Sequence, residues 1–218
     1  MAQLLYERHS SNLVLKTVKR HLRLCRQNKG TEAHATAIEP AYNALLEKRE
    51  AVKTAEEDYE SNYDLLVIMD AELDDKVRDA KEAALKFDRD HPGEMTTRRL
   101  FPNGLTPIVF VSSKKESSEV DQLILRINDL GATHELHALI EPLQSALNSC
   151  KEALDALALS SEKVTTAETL EKIAKINLVR QYEKNYYTVV SRFGKQFSRR
   201  LFPRLVVPKK NDAENDGE

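Results

Sequence analysis

Apolar residues recur at spacings of three and four along most of this 218-residue chain, the mark of helices with one buried face. The first such run starts at Asn12, after an irregular lead-in over residues 1–11, and sets Leu13, Leu15, Val18, Leu22 and Cys25 near one face. Asn28-Lys29-Gly30 should end it, with Gly supplying a left-handed cap. A second helix follows Thr31. From Ala41 to His91 there is neither Gly nor Pro, and the same holds from Leu143 to Phe193. A 3.5-residue period from Ile38 picks out Tyr42, Leu45, Val52, Tyr59, Tyr63, Leu66, Leu73, Val77, Ala80, Ala84 and Phe87, interrupted by Arg49, Glu56 and Asp70.

One unbroken helix over such a run would be about 75 Å long, whereas a compact unit of about 100 residues has a radius of gyration near 13 Å. Two architectures therefore compete. Each run can break into a hairpin, or both can stay long and lie antiparallel, each with a short first helix at one end. The later run favours the break. Its seam through Leu143, Leu147, Cys150, Leu154, Leu157 and Val164 loses register before Leu170, Ile173, Ile176, Tyr186, Val190, Phe193 and Phe197. Between them Thr165 and Glu168 are spaced as a capping box, with Ser61 and Asp64 a weaker version in the earlier run.

The chain repeats itself. Arg98-Arg99-Leu100-Phe101-Pro102 returns letter for letter as Arg199-Arg200-Leu201-Phe202-Pro203, Ile38-Glu39-Pro40 returns as Ile140-Glu141-Pro142, and Gly30 is echoed by Gly131. Three echoes in one order, at nearly one offset, imply a tandem duplication. The expected fold is all-α: two copies of a helical unit of about three helices each, forming antiparallel bundles with coiled-coil-like seams. The first copy is assigned residues 1–101 and the second 121–208. Residues 102–120 read as a linker whose Ile108–Val111 run is extended and pairs with Leu4-Leu5-Tyr6. The polar stretch 209–218 reads as a disordered tail.

Composition narrows the function more by exclusion. A net charge of −2 from 33 basic and 35 acidic residues names no partner. Cys25 and Cys150 stand far apart, outside any Cys-x-x-Cys pair, which argues against a zinc ribbon or a disulfide scaffold. The first residues lack the basic start and apolar run of a signal peptide, and no stretch approaches the roughly 18 apolar residues of a membrane span. A cytoplasmic location without membrane contact is expected. There is no phosphate-binding Gly-rich loop and no Gly-x-Ser-x-Gly elbow. No enzyme activity, cofactor or small-molecule substrate is therefore expected.

Three constellations carry candidate chemistry. Each Arg-Arg-Leu-Phe-Pro follows a long helix, where arginines suit the negative dipole end, Leu and Phe fold back and Pro stops the helix. Its Arg-x-Leu-Phe also resembles the peptide by which cell-cycle substrates dock onto cyclins, a use that requires an exposed, extended segment. Charge is unevenly spread. Lys16, Lys19, Arg20, Arg23, Arg26 and Lys29 crowd the first helix, and Arg180, Lys184, Arg192, Lys195, Arg199, Arg200 and Arg204 gather near the end, interleaved with Tyr182, Tyr186, Tyr187, Phe193 and Phe197. The stretch Glu56–Asp79 is acidic. Basic faces at 16–29 and 180–204 can track phosphates, or can pair with the acidic stretch inside a bundle. Last, His134, His137 and Glu141 fall at i, i+3 and i+7, weak candidates for a metal site that would need a further ligand.

The expected role is a non-catalytic scaffold or interaction protein that binds another protein or a second copy of itself. A polyanion-binding module with a nucleic acid as partner is the first alternative, and a helical-bundle metalloprotein the second. The scaffold demands apolar residues exposed on a helix face. The polyanion binder demands two basic helices that are adjacent and uncovered.

Overall fold

The computed structural model describes residues 4–110 and 112–202. Every regular element among them is a helix, so the chain is all-α. In order these are α1 (Ser11–Gln27), α2 (Glu32–Asp90), α3 (Thr96–Leu100), α4 (Thr106–Val109), α5 (Ser113–Asn128), a 3-10 turn at Glu135–Leu139 and α6 (Ile140–Leu201). None is long and apolar enough to cross a membrane.

The hairpin expectation is corrected. α2 runs for 59 residues and α6 for 62. With no Gly or Pro in the runs, nothing in the chain itself breaks them. The residues read as a capping box sit inside the helix: Thr165 Oγ1 donates to the Ser161 carbonyl at 3.1 Å, and Ser160 Oγ to that of Leu157 at 2.9 Å. Such back-bonded hydroxyls satisfy themselves within a helix rather than starting a new one. α6 is interrupted only at Gly194, where φ is 83° and ψ 162°.

The extended segment at 108–111 and its ribbon with residues 4–6 are corrected as well. Ile108 and Val109 lie in α4, with Pro107 at its start, and no strand occurs among the described residues. α5 starts at Ser113, inside the stretch 102–120 read as a linker. Its buried positions Glu116, Val120, Leu123 and Ile127 are helically spaced, and the glutamate at the first of them hid the pattern. Pro203 and the tail 209–218 lie outside the described residues.

The chain divides into two compact units. Unit 1 is Met1–Lys53 with Thr166–Glu218, and unit 2 is Thr54–Thr165. α2 and α6 each contribute to both. In unit 1, α1 supplies Val14, Val18, Leu22 and Cys25 to a core shared with Ile38 and Leu45 of α2 and with Leu178, Tyr182, Val189 and Leu201 of α6. In unit 2, α5 supplies Val120, Leu123 and Ile127 against Leu73, Val77, Ala80 and Ala84 of α2 and Leu143, Leu147 and Cys150 of α6. Leu201 and Phe202 are buried with α1, while Leu100 and Phe101 are buried with α5.

The 3.5-residue seam is right at its ends and wrong in the middle. Tyr59 and Tyr63 are 36% and 52% exposed, and Leu170 and Ile173 are exposed too. The buried positions in that part of α6 are Ala174, Leu178, Tyr182, Asn185 and Val189. A small alanine and a polar asparagine hold core positions that size and polarity had assigned to their neighbours.

Candidate functional site

Each unit buries one polar centre. In unit 1 it is His21, fully buried on α1. Its Nδ1 lies 2.9 Å from the Leu201 carbonyl, so a neutral ring donates there and leaves Nε2 as an acceptor. The Asn185 amide meets that need. Its Nδ2 lies 3.4 Å from Nε2 and donates to the His34 carbonyl at 2.8 Å. The ring also packs against Phe202 and Tyr182, with centroids 4.4 and 5.2 Å away.

Cys25 Sγ lies 3.5 Å from His21 Nε2, which with Asn185 assembles the residue types of a thiol protease. The electrostatics run the other way. Burial pushes the His21 imidazole down to about 4, and burial pushes the Cys25 thiol up to about 12. A thiolate–imidazolium pair is disfavoured on both sides, in a core closed to solvent. The arrangement holds helices together.

The polar centre of unit 2 is Glu116, 1% exposed, one turn into α5. Neither of its carboxyl oxygens meets an N–H or hydroxyl donor, nor do buried oxygens of Asp70 and Asp74 on α2, so these carboxyls face one another and share a proton. Burial, then the neighbouring Asp74 and Asp70, raise the Glu116 carboxyl to about 8. Asp74 keeps one oxygen on Arg78 at 2.7 Å. Cys150 stands beside the cluster, its thiol raised by burial and by these acids. Among the described residues, no group of three or more His, Cys, Asp and Glu side chains is arranged to hold a metal ion.

The weak metal candidates are placed apart from any such group. His134 is not helical: it has extended backbone at the start of the 3-10 turn, its Nδ1 accepts the Leu136 amide at 3.2 Å, and its ring packs on Phe87. His137 and Glu141 border an open groove of about 650 Å³ with Gln144 and Asn148.

Both motif copies place their Arg pairs outward and their Leu-Phe pairs inward, Leu100, Phe101, Leu201 and Phe202 all being buried. Neither copy offers the exposed, extended form that docking onto a cyclin requires. The motif leucine instead supplies a carbonyl in each unit: Leu201 accepts from His21, and Leu100 from Arg126 Nη1 at 3.1 Å.

The polyanion candidates are brought together. Lys16, Lys19, Arg20, Arg23 and Arg26 of α1, and Arg180, Lys184, Arg192, Lys195, Arg199 and Arg200 of α6, are all exposed and all in unit 1. The acidic stretch 56–79 belongs to unit 2. Unit 1 carries 21 Lys and Arg against 12 Asp and Glu, a formal charge of +9, and unit 2 carries 12 against 23, a formal −11. The net −2 of the chain conceals this division.

Comparison with known protein families, characterised proteins and solved structures finds no match for this chain. Function must be read from its own surfaces.

One surface feature went unnoticed in the sequence. Leu65-Leu66-Val67-Ile68-Met69 is an unbroken apolar run on α2, yet only Leu66 is buried. Leu65, Val67 and Ile68 are 43%, 52% and 53% exposed, and Tyr63 and Tyr59 are exposed about one and two turns earlier. Five consecutive apolar residues on one helix present apolar surface almost all round it, more than a single seam can cover. That run was the available signal.

Proposed function

We propose that this chain is a non-catalytic scaffold that associates with a second copy of itself through the exposed apolar part of α2. The carrying observation is the run Leu65–Met69 with Tyr59 and Tyr63, a concentration of uncovered apolar side chains in unit 2. Contiguous exposed apolar surface of this kind is a liability unless a partner covers it. The inert setting of Cys25 and His21 supports the non-catalytic part.

The architecture we assign is a tandem duplication forming antiparallel helical bundles with coiled-coil-like seams. In unit 1 the His34 carbonyl meets Asn185 and Arg49 meets Glu171, so numbers rise along α2 as they fall along α6. Gly30 and Gly131 share positive φ values of 86° and 101°, as do Gly93 and Gly194 at 107° and 83°. These pairs support a common origin for the two copies.

The test is light scattering coupled to gel filtration over a wide concentration range. The expected result is a species of twice the 24.8 kDa chain mass that Ile68→Glu returns to one chain. A single-chain mass at every concentration, unchanged by Ile68→Glu, would overturn self-association.

A further inference from the structure

We propose that unit 1 binds nucleic acid, holding the phosphate backbone on the basic surface made by α1 and the C-terminal part of α6. This goes beyond self-association through α2 and rests on different residues in the other unit.

The first support is segregation. A formal +9 in unit 1 against −11 in unit 2 leaves most of the unit 1 cations without acidic neighbours. Among the described residues, of the candidate cations on α1 and α6 only Arg26 is held in an ion pair, with Glu39. Cations placed to steer helix pairing would be matched across the seam. These stand in solvent.

The second support is adjacency. His21 ties α1 to α6 at Asn185 and Leu201, within the same stretch of α6 that carries the cations. Of the two demands placed on a polyanion binder, adjacency of the basic helices is met within unit 1, and the cations named on both helices are exposed.

The third support concerns the kind of polyanion. The apolar face of α1 is spent on the core through Val14, Val18, Leu22 and Cys25, and its outer side presents no large exposed apolar residue. A helix that lies on a bilayer needs that face free. α6 offers something a base can use instead. Tyr187 is 57% exposed and follows Arg180 and Lys184 at helical spacing, an aromatic ring beside two phosphate-seeking groups.

The test is fluorescence polarisation of a labelled mixed-sequence oligonucleotide, single-stranded and duplex, titrated with the full chain. Binding should weaken about a hundredfold between roughly 50 and 200 mM salt if about four phosphates are engaged. Lys16→Glu, Arg20→Glu, Arg180→Glu and Lys184→Glu together should abolish it, with circular dichroism showing that the helices persist. Tyr187→Ala should weaken the single strand about tenfold with little effect on the salt slope. Lys76→Glu with Lys81→Glu in unit 2 should leave affinity unchanged, as should Ile68→Glu, which separates this proposal from self-association. Absence of binding at the lower salt would overturn it. So would equal weakening by the unit 2 reversals, or binding to phosphatidylserine vesicles in place of the oligonucleotide.

Discussion

The two units solve the same packing problem with opposite polar chemistry. A short helix, α1 or α5, packs on α2 and α6 in each, beside one copy of the repeated motif. Unit 1 buries an imidazole and an amide whose donors and acceptors match, His21 to Leu201 and Asn185 to His21 and His34, with a neutral hydroxyl, Tyr182 Oη, left unpartnered beside them. Unit 2 buries Glu116 among Asp70 and Asp74, with buried carboxyl oxygens that face one another rather than an N–H donor. The position 102 residues before Glu116 is Val14, fully buried and apolar. A bonded polar group in a core fixes geometry at little net cost, whereas crowded carboxyls must take up a proton or weaken the fold. The difference teaches that the units should fail at opposite ends of the pH scale.

The largest effect expected is that opposition itself. His21 has a folded pKa of about 4 against an ordinary 6.5, so its contribution is present above 6.5 and is lost as pH falls through about 4. The loss is roughly 3 kcal/mol, and His21→Leu should remove that part of the acid dependence, leaving the smaller part due to His34, which burial and Arg192 also lower. Glu116, at about 8 against 4.5, runs in reverse: stability is full below 4.5 and is lost as pH rises through about 8. Hydrogen exchange read separately in α1 and α5 across this range checks both. Parallel pH slopes in the two helices would break the comparison.

Next in size is Asn185→Ala, which removes the partner of the His34 carbonyl and of His21. A loss of about 2–3 kcal/mol in urea unfolding is expected. Glu116→Val, which copies Val14 into unit 2, should do the opposite and stabilise by about 2 kcal/mol at alkaline pH. A destabilised Glu116→Val would mean that the carboxyl has a partner role after all. The smallest effect is Gly194→Ala. Nothing lies within 4 Å of a Cβ there, so the cost is that of holding alanine at φ 83° and ψ 162°, backbone that essentially only glycine adopts, about 1–2 kcal/mol in the same assay.

Much of this was legible in the sequence, and the misses share a cause. α1 was readable because Val14, Val18, Leu22 and Cys25 are apolar, helically spaced and closed by Gly30. α5 was half lost because Glu116 occupies a core position. The middle of α6 was misread because Leu170 and Ile173 face solvent while Ala174 and Asn185 face the core. Hydrophobic periodicity reports burial only where side-chain polarity agrees with it. The basic candidates were visible as residue types, but their common unit was not, because they lie at the two ends of the chain and meet only through the fold.

That meeting of distant segments has a consequence for how the protein is made. Unit 2 is one continuous stretch, Thr54–Thr165, and can close while the ribosome is still adding residues. Unit 1 has no such freedom. α1 is made before unit 2, yet the carbonyl that His21 needs belongs to Leu201, and the ring that covers it belongs to Phe202, both made after it. During synthesis α1 can meet Ile38 and Leu45 of α2 early, but its packing on Leu178, Tyr182, Val189 and Leu201 of α6 forms only after unit 2 has been made. Unit 1 is therefore completed only across the whole of unit 2.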